Sequence, residues 1–519
     1  MNGAQALLHT LKANGVDICF ANPGTSEMHL VQAIGHTDGV RAVLCLYEGV
    51  VTGAADGYAR MTDKPAATLL HLGSGFSNSM ANQHNARRAG VPLVNIVGDH
   101  ATYHLQYDAP LTSDLQGHAM LSSAWVGIAA SADELSAKGA EAVSQAYANG
   151  GQISTLIAPA DCSWDAAGTP AGAITPQPAA SVDSRRVTEV AGLLGNGKRT
   201  AVFLGGRALR SDALEAAGRI AAATGAVLIC ETFPARQQRG AGRVPVQRLP
   251  YFAEQAQAFL QSFEQMILVD SKAPVAFFAY PGKASWLAPD NCTLVTLAEH
   301  RHAVLQALSA LASELDAPAE PTSRQAPMLL PIKTGVLNMD TLGRSIGALM
   351  PENAIVSDEG VTTSLGIYLL TQGAKPHDWL TLTGGAIGQG LPVALGAALA
   401  CSDRKVIALQ ADGSAMYTNQ ALWSMVREQV DVTVILLNNS SYAILNVELA
   451  RVGAGEPNAK TLSMLDLSNP ALDWTSIARG MGMQADRATS ADEFHQLFEA
   501  AMQQRGPRLI EAIIAPISL

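Results

Sequence analysis

Asp412 and the pair Asn438–Asn439 are the residues whose types and spacing could do the most specific chemistry in this chain. Each sits where a short apolar run stops. The run 405–411 ends at Asp412, the run 432–438 ends on the asparagines, and a helical pattern at about 417–428 lies between them. A strand–helix–strand unit in an open parallel sheet brings both carboxyl ends to one crevice. A carboxylate, an amide oxygen and a nearby backbone carbonyl are hard oxygen ligands, of the kind Mg²⁺ takes together with phosphate oxygens and water. Gly413 lets a phosphate approach the backbone, and the helix that follows offers free N–H groups to it. Asp-Gly or Asn-Asn alone reads as an ordinary turn. Capping two apolar strands across one helix, the two together read as a metal–diphosphate site.

A second carboxylate stands far away in the sequence. Glu48, in LCLYEGVVTGAADGYAR, follows an apolar run and is flanked by Gly49, Gly53, Ala54, Ala55 and Gly57. Small neighbours let a flat ring pack against a desolvated carboxylate. By itself such a glutamate also fits a helix N-terminus, where its charge meets the dipole.

The elements that must position these residues are strands and helices in alternation. VDICFANPG, VRAVLCLYE, AATLLHLG and PLVNIVGD are short, rich in Val, Ile and Leu, and end in Gly, Asp or a polar residue. That is the pattern of buried parallel strands with loops at their carboxyl ends, so the class is α/β. Two Pro- and Ala-rich stretches, 165–184 and 315–331, read as linkers. They divide the chain into 1–164, 185–314 and 332–519. At 519 residues and 48% hydrophobic, the chain can bury three cores. A net charge of −11 and the lack of a basic stripe argue against a nucleic-acid partner. Six scattered cysteines with no C-x-x-C pair read as buried thiols. The opening residues MNGAQALLHTLKANG read as an amphipathic helix rather than a leader, and no clean apolar run reaches about 18 residues. A cytoplasmic protein with no membrane partner is expected.

Along nearly its whole length the chain resembles thiamine-diphosphate enzymes of the acetolactate synthase and benzoylformate decarboxylase branch. The ADG…NN stretch is similar to the family's diphosphate motif, with Ala411 in place of its first glycine. The resemblance implies three doubly wound parallel-sheet domains: pyrimidine-binding, middle and diphosphate-binding. It implies thiamine diphosphate and Mg²⁺ as cofactors. Asp412, Asn439 and the Ser441 carbonyl would be metal ligands, with Gly413, Ser414, Tyr442 and Ala443 around the diphosphate. Thr362, in SDEGVTTS, is a further candidate there. By the same resemblance, Gly385 would accept a bond from the aminopyrimidine through its carbonyl, and Ile387 would hold the two rings of the cofactor together. Glu48 matches the glutamate that hydrogen-bonds the aminopyrimidine. Asn22, Pro23 and Gly24 of FANPGTSE, and Asn78, match first-domain positions that border the cofactor.

On the substrate side the match is mixed. His71, in HLGSGFSN, stands where benzoylformate decarboxylase has an active-site histidine, and could bond a carboxylate or shuttle protons. It equally fits a strand-end histidine satisfied by the backbone. The second histidine of that enzyme would fall near VAFFAYPGK, which has Phe277, Phe278 and Tyr280 instead. Thr25, Phe278, Leu445 and Glu448 are the candidate substrate pocket. A glutamate beside an anionic substrate calls for an arginine, and Arg87 and Arg88 are candidates. The glycine–histidine stretch that lies along FAD in the synthase is missing from 235–255, which makes FAD doubtful, although FLGGRALR (203–210) could be a nucleotide-binding remnant.

The resemblance thus implies non-oxidative decarboxylation of a 2-oxo acid, with carboligation as in acetolactate synthase. The alternatives are a benzoylformate-type decarboxylase or an acyl-CoA lyase and, from another class, a catalytically silent regulatory paralogue. Sites shared between subunits make a homodimer the minimum and a homotetramer the expected assembly.

Overall fold

Runs of Val, Ile, Leu and Ala without alternation form strands buried on both faces, as a parallel sheet covered by helices requires. The structure, a computed structural model describing residues 1–166 and 168–515, contains three such sheets. The first has six parallel strands, in the order Arg41–Leu44, Ile18–Asn22, Ala66–Leu70, Leu93–Asp99, Ile153–Pro159 and Trp125–Ile128. The second has five parallel strands, in the order Gln247–Arg248, Val227–Cys230, Thr200–Leu204, Gln265–Val269 and Thr293–Ala298. The third has seven, in the order Gln484–Ala488, Arg508–Ile513, Val432–Asn438, Val406–Ala411, Ile355–Glu359, His377–Thr381 and Gln237–Arg239.

The last pairing is antiparallel, and its edge strand Gln237–Arg239 comes from the middle segment of the chain. Backbone pairing therefore crosses the division drawn from composition. The three residues Gln-Gln-Arg carry no strand signal of their own, so tertiary packing decides their conformation. Arg239 is buried, with its guanidinium 3.7 Å above the centre of the Tyr368 ring.

Helices Glu48–Thr62 and Gly390–Ala400 cross between the first and third sheets. A Cβ on Gly57 would lie 2.2 Å from the Val393 carbonyl oxygen, and one on Gly396 would lie 1.9 Å from that of Ala54. Only hydrogen fits there, so the helices meet backbone to backbone. One core then runs from Phe20 and Val50 through Leu391 to Val434. Inside it, Asp56 and Arg60 are fully buried and paired at 2.7 Å. Arg60 also donates to the carbonyls of Thr381 at 2.8 Å and Ala235 at 3.1 Å, and Gln389 donates to Asp56 at 2.8 Å. A buried ion pair is tolerated when its remaining donors and acceptors are filled, and these fill theirs from all three segments of the chain.

The middle sheet reverses its strand order between Thr200–Leu204 and Gln265–Val269, the place where such sheets take ligands. Here the crevice holds the chain's own side chains. Asp270 accepts the Arg207 N–H at 2.7 Å, and His300 lies between Asp270 at 2.8 Å and the Gly90 carbonyl oxygen at 2.9 Å. Beside them, burial pushes Glu231 up to about 7. The six cysteines are free, and all but Cys401 are buried. Among the described residues, no helix is long and apolar enough to cross a membrane.

Candidate active site

Asp412 opens the short helix Asp412–Ala415 at the carboxyl end of Val406–Ala411. Ala411 pairs with Leu437, so Asp412 faces the end of Val432–Asn438. The helix expected at about 417–428 spans Gln420–Arg427, and a separate short helix, Asp412–Ala415, precedes it. This extra turn puts its first N–H groups beside Asp412. This carboxylate is buried, which raises its pKa, while the N–H groups of Gly413 and Ser440 donate to it at 2.9 and 2.8 Å. A cation beside it would relieve that desolvation.

The two asparagines divide. Asn438 donates to Glu511 at 2.7 Å and accepts the Ser440 N–H at 3.0 Å, so its side chain is engaged within the fold. Asn439 accepts the Ser441 N–H at 3.0 Å and lines a cavity of about 380 Å³. Asp412, Gly413, Ser414, Ser441, Tyr442 and Ala443 line the same cavity, as do Thr362, Gly385 and Ile387 from neighbouring loops. Gly385 has φ +75°, and a Cβ there would lie 2.6 Å from the Phe277 ring. First-domain helix Leu72–Ala89 pins this loop: Asn85 donates to the Ala386 carbonyl at 2.7 Å, and Asn82 to that of Gly388 at 3.1 Å.

Glu48 forms a separate cluster in the first domain. It opens helix Glu48–Thr62, is 6% exposed, and accepts from the amides of Asn22 and Asn78, each at 3.0 Å. His71 lies next to it. A Cβ on Gly75 would be 3.1 Å from the Glu48 carboxylate and 3.2 Å from the His71 Cβ, and one on Gly24 would be 2.2 Å from the His71 ring. Nδ1 of His71 lies 2.9 Å from the carboxylate of Glu27, which is fully buried and also accepts the Gly24 N–H at 2.7 Å. Pro23 lies in the same loop, between Asn22 and Gly24, and Thr25 is exposed at the start of the turn Thr25–Glu27. No residue of this cluster lines the cavity around Asp412.

Phe278, Leu445 and Glu448 do line that cavity, together with Phe233, Tyr251 and Phe277. The arginine nearest Glu448 is neither of those expected. Arg87 and Arg88 are exposed at the end of Leu72–Ala89, whereas Arg451, one turn along helix Ala443–Arg451, has its Nε 3.8 Å from Glu448.

Two family models match the chain: the N-terminal TPP binding domain of thiamine pyrophosphate enzymes at residues 1–122, and the C-terminal TPP binding domain at 362–512. A Mycobacterium tuberculosis (strain H37Rv) protein provisionally named acetolactate synthase large subunit IlvX is 50% identical over 99% of both chains. The chain belongs to the thiamine pyrophosphate enzyme family. Benzoylformate decarboxylase of Pseudomonas aeruginosa is 27% identical over 96% of both chains. Among solved structures, a thiamine diphosphate-dependent 4-hydroxybenzoylformate decarboxylase of Rhodococcus jostii RHA1 superposes with a TM-score of 0.87, at 24% identity over 99% of both chains, which is a likeness of fold.

The residues of this thiamine pyrophosphate enzyme suit the cofactor. A buried carboxylate, the Asn439 amide oxygen and a backbone turn converge on one cavity, and Tyr442 packs over Gly413, where a Cβ would lie 2.5 Å from its ring. Three residues escaped the sequence reading. Glu27 lay unused in FANPGTSE, although the one charged residue of that segment was a signal. Arg451 stands three residues after Glu448, a spacing that makes helix neighbours. Glu359 ends strand Ile355–Glu359 and accepts the N–H groups of Gly388 at 2.6 Å and Gly390 at 2.5 Å, so it anchors the far end of the Gly385–Ile387 loop.

Proposed function

We propose that this enzyme binds thiamine diphosphate with Mg²⁺ and removes CO₂ from a 2-oxo acid. The observation that carries the reading is the convergence of Asp412, Asn439, Ser441, Gly385 and Ile387 on one cavity. When bound there, the cofactor supplies a nucleophilic carbon and an electron sink. The chain supplies placement. Asp412 and Asn439 would hold the metal with the Ser441 carbonyl, Thr362 and the N–H groups at Gly413 and Ser414 would meet phosphate oxygens, and Ile387 would pack against the rings of the cofactor. Glu48 holds a proton at the aminopyrimidine ring, and Asn22 and Asn78 fix its orientation. His71, oriented at Nδ1 by Glu27, exchanges a proton with the substrate through Nε2.

The synthase-like reading, in which the remaining acyl unit passes to an acceptor carbonyl, is supported by the name of the 50% identical relative. A second reading, decarboxylation of an aryl 2-oxo acid, is favoured by the rings of Phe233, Tyr251, Phe277 and Phe278 along the cavity. The carboxyl groups of Asp270 and Glu231 in the middle-domain crevice speak against FAD there.

The assembly belongs to the proposal. Glu48 and the Asp412 cavity do not meet within one chain, so each site takes Glu48 from a partner copy, and a dimer is its minimum. Exposed apolar side chains on both sides suit such a contact: Tyr103 (61%) and Tyr107 (68%) in the first domain, Tyr417 (53%) and Met464 (76%) at the cavity. The test is to load the protein with Mg²⁺ and thiamine diphosphate, follow C2–H exchange by NMR, and assay CO₂, aldehyde and acetolactate from pyruvate and benzoylformate. Accelerated exchange and CO₂ release are expected. Exchange no faster than in the free cofactor overturns the catalytic reading, and CO₂ without acetolactate selects the decarboxylase.

A further inference from the structure

One wall of the cavity is built of rings. Phe233, Tyr251 and Phe277 pack edge to face or tilted, with centres 5.6–6.0 Å apart, and Phe278 lies 4.9 Å from Phe277. Phe277 and Phe278 are 43% and 52% exposed, so the stack is not a closed core. Such a wall takes a flat apolar body.

One charged group interrupts it. Glu448 lines the same cavity with its side chain 12% exposed, and its Oε2 is buried without a hydrogen-bond partner among the described residues. The neighbouring arginine commits one nitrogen elsewhere. Arg451 places Nη2 2.7 Å from both carboxylate oxygens of Glu254, which also takes Lys283 at 3.1 Å, and only its Nε lies within 3.8 Å of Glu448. Arg451 and Lys283 thus offset Glu254 and Glu448 in charge, while Glu448 Oε2 and Arg451 Nε, 3.8 Å apart, are each left without a hydrogen-bond partner among the described residues. Burial first, and then the charge of Glu448 and hydrogen bonding toward it, push the Tyr251 and Tyr280 phenols up, so both remain neutral around it.

A buried acceptor without a donor is costly, and an apolar ligand that covers it leaves that cost in place. A ligand that brings an O–H or N–H removes it. Resting on the 2-oxo acid reading above, we propose that Glu448 is a specificity residue that accepts a hydrogen bond from an O–H or N–H at the far end of an aryl 2-oxo acid held against these rings. The ring wall selects the body of the substrate and Glu448 selects its tail. A site built to bond a substrate hydroxyl discriminates strongly against the analogue lacking it.

The test compares 4-hydroxybenzoylformate and 4-aminobenzoylformate with 4-methoxybenzoylformate and benzoylformate, by kcat/KM for CO₂ release from the loaded enzyme. In parallel, calorimetry compares binding of 4-hydroxybenzaldehyde and 4-methoxybenzaldehyde. The donor-bearing member is expected to win by roughly 10–100-fold in each assay. Glu448→Leu should bring the ratios close to one, and Glu448→Gln, which keeps an acceptor oxygen and nearly the same shape, should keep part of the preference. Ratios near one in the native protein, or unchanged in a folded Glu448→Leu, overturn the proposal. If no acid releases CO₂, the decarboxylase reading fails, and the aldehyde ratio still decides the tail pocket.

Discussion

Asp412 and Glu48 occupy the same kind of place and are held in opposite ways. Each is a buried carboxylate opening a helix after a strand, where the dipole favours negative charge. Asp412 is held by backbone N–H groups, those of Gly413 and Ser440. Glu48 is held by two side-chain amides, Asn22 from the first strand and Asn78 from helix Leu72–Ala89. Backbone donors fix an oxygen in space for a ligand that demands a set geometry, as Mg²⁺ does. Amide side chains orient a carboxylate and still leave it free to hold a proton in common with a ring nitrogen. On the proposed reading, the difference separates a site that binds from a site that reacts.

The largest expected effect breaks the binding half. Asp412→Ala should abolish the thermal stabilisation that Mg²⁺ and thiamine diphosphate confer on the protein, measured by melting with and without both. Retained stabilisation would remove Asp412 from the metal site. Glu48→Gln should leave that stabilisation in place and slow C2–H exchange by roughly 10³-fold, the range for loss of a positioned acid or base. Equal loss of binding and exchange would erase the distinction between the two carboxylates.

Glu359 sharpens the comparison as a third buried carboxylate, one with a structural task. Burial lifts it from 4.5 to about 7 against the N–H groups of Gly388 and Gly390. A raised folded-state pKa favours the folded protein most at low pH. The contribution is present below about 4.5 and is lost as pH rises through about 7. Urea unfolding of the cofactor-free protein should show that decline, on the order of 3 kcal/mol, and Glu359→Gln should flatten it. The smallest effect separates the asparagines. Asn438→Ala should lower stability by about 1–2 kcal/mol through Glu511 while leaving Mg²⁺ affinity nearly intact, and Asn439→Ala should do the reverse in a magnesium titration.

Much of this site was legible along the chain, because Asp412, Asn439 and Glu48 end apolar runs, and strand ends are readable from hydrophobic pattern. What stayed hidden depends on residues distant in sequence. Nothing near Asn438 announces that Glu511 holds it, and nothing near His71 announces Glu27. The strand Gln237–Arg239 is polar and short, and exists because His377–Thr381 offers an edge. Arg451 was within reach of helix spacing alone, three residues from Glu448, although the sequence reading looked to Arg87 and Arg88 in the first domain. The fold was the easier part, since long buried strands alternate with helices in each third of the sequence.

The separation of Glu48 from the Asp412 cavity within one chain makes the central claim testable by complementation. Glu48→Gln and Asp412→Ala proteins are mixed, their subunits are allowed to exchange, and C2–H exchange of bound thiamine diphosphate is followed by NMR. Sites shared between copies put both lesions in one site of a mixed dimer and neither in the other, so about a quarter of the native rate should return on random pairing. A mixture no faster than its parents, at a composition verified to contain mixed dimers, would contradict a site built from two copies.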